Sequence, residues 1–254
     1  MLSIDRYKRI IEQLEKNETV KVTELSDLLN VTEKTVRLDL EQLENRGILK
    51  RIHGGAILAD VGERILPINE RQSANSEVKQ AIAKEAVEQV SAQDTILMDG
   101  GSTTLAVARM LGEFPVTVIT NDIQIANELS SKEQIQLIIP GGTRIPNSSS
   151  LMSAHATQSL HTMRVNHLFF GSTGVSIDHG LTVFNSLFVD WKKELLKTAD
   201  NSILVVNSSK FEKIALIQFA DLSDVDVIIT DSRLDKEIEK QLISRGIKVI
   251  KAKI

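Results

Sequence analysis

Apolar positions recur along this chain with two different periods, and the change from one to the other divides it. Ile4, Tyr7, Ile10, Ile11 and Leu14 fall at about 3.6-residue spacing, which predicts a first helix over 3–15. Lys16 to Thr19 is polar and reads as a turn, and Val20 and Val22 alternate as a short strand. Leu25, Leu28 and Leu29 return to helical spacing after Thr23. Asn30-Val31 then closes that helix, because asparagine tolerates the left-handed backbone that ends one. Thr32 stands where its hydroxyl can cap the next helix. That helix carries Val36, Leu40 and Leu43 on one face and ends near Gly47. Its first turns leave Glu33, Lys34, Thr35, Arg37 and Leu38 pointing outward.

From residue 77 onward the pattern alternates. An amphipathic helix over Val78–Val90 is followed by short apolar runs of strand length at Thr95–Met98, Val116–Ile119, Gln136–Ile139, His167–Phe170, Ile203–Val206, Val225–Ile229 and Lys248–Ile250. Helical stretches at Thr103–Leu111, Ile123–Leu129, Met152–Met163, Asp190–Ala199 and Asp235–Ser244 separate most of them. Strands that are apolar throughout and alternate with helices build a mostly parallel sheet covered on both faces, an α/β domain. Between the two patterns, 59–76 holds Gly, Pro, Asn and Ser without periodicity and leaves Arg64 and Arg71 exposed. It is a linker, either a passive tether or a transmitter between domains. The expected division is therefore 1–58, linker 59–76, and 77–254.

The first domain has the chemistry of a DNA reader. A short helix, a turn and a second helix with polar groups at its N-terminus is the arrangement that places side chains in the major groove. Residues 48–56 follow as a hairpin, a wing whose Lys50, Arg51 and His53 can reach phosphates or the minor groove around Gly54 and Gly55. The DNA-facing set is Thr23, Thr32, Glu33, Lys34, Thr35, Arg37, Leu38, Lys50, Arg51, His53, Gly54 and Gly55. A helical hairpin that only packs on the rest of the chain has no need of a wing. The run VTEKTVRLDLEQLENRGILKRIHGGA resembles the signature of the DeoR family of bacterial winged-helix repressors. One departure stands out: Leu38 occupies a position where most members of that family have a second arginine, which implies a different operator preference.

Composition narrows the rest. The chain has 254 residues, 42% apolar and 25% charged, enough for two domains of ordinary size with buried cores. It has no cysteine, which excludes disulfides, thiolate metal sites and cysteine nucleophiles, and its five histidines lack ligand spacing. No metal or cofactor is expected. No run approaches about 18 uninterrupted apolar residues, and the N-terminus does not read as a signal peptide, so a cytoplasmic protein without a membrane span is expected. The net charge of −4 argues mildly against DNA binding, yet location matters more than the sum, and Lys34, Arg37, Lys50 and Arg51 sit together on the groove-facing elements. Moderate affinity per subunit, raised by a homodimer or homotetramer on repeated half-sites, is the expectation.

The second domain carries four polar turns after four successive strands: Asp99-Gly100-Gly101-Ser102-Thr103-Thr104, Thr120-Asn121-Asp122, Pro140-Gly141-Gly142-Thr143 and Gly171-Ser172-Thr173-Gly174. Ligands in open α/β sheets gather at the carboxyl ends of the strands. Glycines let backbone approach a ligand, and free N–H groups and hydroxyls at a helix start favour an anion. Asp99 to Thr104, Thr120, Asn121, Gly141, Gly142, Gly171, Thr173 and Gly174, with Lys192 and Lys210 as counter-charges, form the expected pocket. These turns and Ser209-Lys210-Phe211 are similar to the motifs of the DeoR carboxy-terminal sensor, whose fold resembles sugar-phosphate isomerases and whose ligands are phosphorylated sugars. Leu187 and Phe188 stand where many members carry acids, and Asn207 where many have aspartate, which leaves the identity of the sugar open. Trp191, the only tryptophan, belongs either to the core or to the pocket.

The leading expectation is a DNA-binding transcriptional regulator, a repressor of a carbohydrate uptake or catabolic operon, modulated by a phosphorylated sugar. The alternative is an isomerase-like enzyme with an accessory helical domain. It would need a base, for which Asp99, Asp122 and Asp190 are available. A third reading has a partner protein in place of the metabolite.

Overall fold

The computed structural model describes residues 3–17, 19–45, 49–58, 75–113, 115–145 and 148–254. The chain divides into two compact units, 1–74 and 75–254. The expected linker 59–76 lies almost wholly outside the described residues, as does Gly47.

In the smaller unit, α1 (Ser3–Asn17), β1 (Thr19–Lys21), α2 (Val22–Leu29), α3 (Glu33–Asn45), β2 (Leu49–Ile52) and β3 (Gly55–Leu58) enclose one core. Ile10, Leu14, Leu25, Leu29, Val36, Leu40, Leu43 and Leu49 are buried in it. The helical spacing of those leucines therefore marks the inward faces. Asn30 closes α2 in the left-handed conformation at φ 52°, and the Thr35 N–H donates to the Thr32 hydroxyl at 3.2 Å, capping α3. The strand expected over Val20 and Val22 stops at Lys21, and Val22 opens α2 instead. Its N–H donates to the Gly54 carbonyl, 2.9 Å away, while Val20 pairs with Ala56. The hairpin β2–β3 and β1 make a three-stranded antiparallel sheet, the wing. Gly55 is required there: a Cβ on it would lie 2.0 Å from the Val20 carbonyl oxygen.

The larger unit begins with α4 (Ser76–Val87), then β4 (Thr95–Met98), α5 (Ser102–Met110), β5 (Val116–Thr120), α6 (Ile123–Leu129) and β6 (Ile135–Ile138). A small hairpin follows, β7 (Thr143–Arg144) and β8 (Leu151–Met152), then α7 (Ala154–Ser159), β9 (Val165–Phe170), β10 (Gly174–Ser176), β11 (Gly180–Val183) and α8 (Val189–Thr198). The chain ends with β12 (Ala199–Val205), β13 (Ile217–Ala220), β14 (Val227–Asp231), α9 (Lys236–Ser244) and β15 (Lys248–Ala252). Seven strands form one sheet in the order β15-β14-β12-β9-β4-β5-β6, and every pairing in it is parallel. All seven apolar runs of the sequence are its strands.

Successive side chains of each strand enter opposite layers. Ile96, Met98, Val118, Phe169 and Ile203 pack with Ile82, Leu105 and Ile125 of α4, α5 and α6. Leu97, Leu168, Phe170 and Leu204 pack with Leu160, Trp191, Leu195 and Leu242 on the other side. Two elements depart from expectation. The helix expected over Met152–Met163 starts only at Ala154, where the Ser153 hydroxyl accepts from the Ala156 N–H at 3.0 Å, and ends in a short 3-10 turn. The strands β10, β11 and β13 form a separate antiparallel sheet that the apolar runs did not announce.

Candidate DNA-reading surface and effector site

On α3 the inward face is completed by a charge. Asp39, 3% exposed, receives two hydrogen bonds from the Arg6 guanidinium at 2.6 and 2.8 Å, which fastens α1 to the recognition helix. That bond also raises the Arg6 pKa. Thr23, Thr32, Lys34, Arg37 and Leu38 are exposed, and Glu33 and Thr35 are half-buried. Arg37 pairs with Glu33 one turn earlier at 2.5 Å. On the wing, Lys50, Arg51, His53 and Gly54 are exposed. Gly55 is a correction to the DNA-facing set, since it is buried under Val20 and serves the sheet.

Helix and wing are tied together by Glu44. Its carboxylate accepts from the Arg51 backbone N–H at 2.8 Å and from the Arg51 guanidinium at 2.6 Å. Those two bonds, the backbone one first, hold Glu44 below the usual carboxylate range. The groove between them is lined by Arg37, Leu40, Glu44, Arg51, Ile52 and Gly54. A capped helix with a cationic edge and a basic hairpin fixed beside it is suited to a duplex, the helix in the major groove and the wing on the backbone.

In the larger unit the strand order reverses direction at β4 and β9: the chain builds outward from β4 through β5 to β6, then returns to lay β9 on the other side. The crevice at the carboxyl ends beside such a reversal is where open α/β sheets hold ligands. All four polar turns lie there, because they follow the adjacent parallel strands β6, β5, β4 and β9.

Asp99 and Lys192 span the reversal. The Lys192 ammonium donates to Asp99 Oδ2 at 2.5 Å and to the Gly171 carbonyl at 2.8 Å, so it joins the ends of β4 and β9. The Trp191 indole N–H donates to Asp99 Oδ1 at 3.2 Å. Asp99, Trp191 and Lys192 are 2%, 1% and 7% exposed. The reading of Lys192 as counter-charge for an anion is thereby corrected: the charge it balances is that of Asp99. Trp191 is at once core and hydrogen-bonded to the site. Thr104 and Thr120 are buried, their hydroxyls donating to the carbonyls of Gly101 and Met98. Lys210 is half-buried at the end of β12, one strand beyond β9.

What remains reachable is backbone and small side chains. Gly100, Gly101, Ser102, Thr103, Gly171, Thr173 and Gly141 are half-buried, Gly142 is exposed, and the first-turn N–H groups of α5 have no partner within the helix. Gly174 is buried against the Lys213 carbonyl.

A serine run absent from the expected pocket also closes on it. Ser148, Ser149 and Ser150 are 8%, 5% and 4% exposed, and the hairpin β7–β8 folds them onto the turn after β5. The Ile123 N–H donates to the Ser149 carbonyl at 3.0 Å, Leu151 N–H to the Asn121 carbonyl at 2.7 Å, and the Ser149 hydroxyl to Asp122. Asp122 also caps α6 through the N–H groups of Gln124 and Ile125. Gly100 abuts this cluster: a Cβ there would lie 2.3 Å from Ser150 Oγ and 2.8 Å from Asp122 Oδ2. Three consecutive serines after a glycine pair were the only signal. A surface depression lies elsewhere, lined by Ile177, Asp178, Asp221, Leu222 and Arg245, and contains none of the turn residues. Among the described residues no three His, Asp or Glu side chains cluster as a metal site, and no helix is long and apolar enough to cross a membrane.

A winged helix with an open polar edge, followed in the same chain by a parallel α/β unit whose turns converge at a strand-order reversal, defines a DNA-binding transcription regulator with a sensor domain. Residues 6–61 match the DeoR-like helix-turn-helix domain and 74–232 the DeoR C-terminal sensor domain. The chain belongs to the DeoR family of transcriptional regulators. It is 37% identical to the uncharacterized regulator YulB of Bacillus subtilis, over 98% of this chain and 96% of that protein. It is 31% identical to a putative aga operon transcriptional repressor of Escherichia coli O157:H7, over 97% and 93% of the two chains. Among solved structures, the ribose 5-phosphate isomerase of Methanocaldococcus jannaschii is similar over 54% of this chain and 55% of its own, with 22% identity and a TM-score of 0.40.

Proposed function

We propose that this protein represses a carbohydrate uptake or catabolic operon and that a phosphorylated sugar, seated at the carboxyl ends of β6, β5, β4 and β9, relieves the repression. The observation that carries the reading is the convergence of four glycine- and hydroxyl-rich turns at the strand-order reversal, with the start of α5 open among them. The phosphate takes the N–H groups of Ser102, Thr103 and Thr104 at the start of α5. The sugar hydroxyls lie toward Gly100, Gly141, Gly142, Gly171 and Thr173, with the fully buried Asn121 behind them. A cytoplasmic homodimer or homotetramer presents Lys34, Thr35, Arg37, Lys50 and His53 to double-stranded operator DNA, each subunit on one half-site. The ligand acts only through unequal affinity for the DNA-competent and released states.

Gel-shift titration with the region upstream of the protein's own operon is the test, repeated with a panel of hexose and pentose phosphates. A sequence-dependent shift that one of them reverses is expected; no shift at low salt would reject the reading. The enzyme alternative asks for a free base. Of the three candidates, Asp99 and Asp122 have both oxygens engaged, by Trp191 and Lys192 and by the α6 cap and Ser149, and Asp190 is exposed at the start of α8. Turnover of any sugar phosphate by the purified protein would restore that alternative.

A further inference from the structure

The outward edge of α3 carries one large hydrocarbon. Leu38 is 53% exposed, although α3 has a complete apolar face of its own in Val36, Leu40 and Leu43. With about 100° between successive residues, Leu38 falls opposite that face, one turn beyond Lys34 and one turn before Gln42, all three exposed. Its neighbours toward the start of the helix are groups that donate or accept: Thr32, Lys34, Thr35 and Arg37. Leu38 can do neither. In the major groove, base edges offer donors and acceptors and a single apolar feature, the C5-methyl of thymine. Arg37 is engaged with Glu33 on the flank of the helix, so it does not cover the leucine's side of the stripe.

We infer that Leu38 is a specificity-determining residue that reads a thymine methyl group in each operator half-site. The inference rests on the DNA-binding role of this domain. Docking removes the leucine and the methyl together from water, while Lys34 and Arg37 fix the register through phosphates and polar base edges. Any other base at that position presents a polar edge to the leucine, whose desolvation goes uncompensated. Selectivity follows from both effects.

The full-length protein is used to select duplexes from a random pool, and each preferred thymine is then replaced by deoxyuridine, which deletes only the methyl. One thymine per half-site should lose about fourfold in affinity on replacement, the value of one buried carbon. Leu38→Ala should bind the thymine and uracil duplexes equally while keeping its sedimentation behaviour and melting temperature, since the side chain lies outside the core. The inference is overturned if no thymine is sensitive to the replacement, or if Leu38→Ala keeps the wild-type sensitivity. It is equally overturned if Leu38→Ala alters the oligomer and leaves the thymine preference unchanged, for the leucine would then cover another subunit. A protein that selects no sequence at all fails at the DNA-binding role itself, which is a distinct result and removes this inference with it.

Discussion

Lys192 sits at the reversal point with its charge spent inside the protein. Its ammonium and the Asp99 carboxylate are both buried, so each depends on the other for solvation. Lys192→Met keeps the volume but leaves Asp99 a lone buried anion, and a loss of roughly 3 kcal/mol or more is expected from urea unfolding. Combining it with Asp99→Asn should recover part of that loss, because the neutral amide no longer needs a cation. Additive losses would mean the pair is not coupled. Gly100 sets a second test. Gly100→Ala pushes a methyl into Ser150 and Asp122, and the expected outcome is loss of the thermal response to sugar phosphates with duplex binding intact. These two sites were unequally legible: the glycines were visible as turns, while the Asp99–Lys192 bond joins residues 93 positions apart.

At the scale of elements, the recognition helix and wing act as one piece because of Glu44 and Arg51. The folded pKa of Glu44 lies below its ordinary value. The tie is therefore fully present above the ordinary glutamate pKa and is lost as the pH falls through the lower folded one. Both groups are solvent-exposed, so its effect on global stability is small. A larger effect is expected on DNA binding: in the proposed docking, Glu44→Gln would remove an anion beside the duplex and release Arg51 to the phosphates. Fluorescence anisotropy across a salt series should show tighter binding at low salt and a slope steeper by about one per subunit. An unchanged slope would show that Arg51 never reaches a phosphate. Thr32→Ala removes the cap of α3 and should cost about 1 kcal/mol, read from thermal unfolding. The caps and leucine spacings of this unit were legible from local chemistry alone. Val22 was not, since its place at the start of α2 depends on a hydrogen bond to Gly54, beyond the whole of α3 in the chain.

At the scale of the molecule, two units have separate cores, and under the proposed function each has its own partner. A sugar phosphate that binds the folded larger unit stabilises it by about 2.7 kcal/mol at a hundredfold excess over its dissociation constant. By the same linkage, operator DNA should stabilise the smaller one. Differential scanning calorimetry with each added separately should raise different parts of the unfolding profile, and a uniform rise with either would contradict the assignment of the two sites. The proposed site follows from the sheet order: β9 returns to the far side of β4, and open α/β sheets hold ligands beside such a reversal.

The sequence by itself determined what depends on near neighbours. Seven apolar runs are seven strands, Leu25, Leu29, Leu40 and Leu43 mark inward faces while Leu28, at the same helical spacing, stays exposed, and Thr32 is a cap, because period, propensity and capping act over one or two turns of chain. Only the tertiary structure decided what depends on distant ones. The order of the strands, the serine run folded over Asp122, the burial of Gly55 and the pairing of Lys192 with Asp99 bring together residues that no local pattern relates. The antiparallel sheet β10-β11-β13 belongs with these, since its short strands are held by packing against α8 rather than by an apolar pattern of their own.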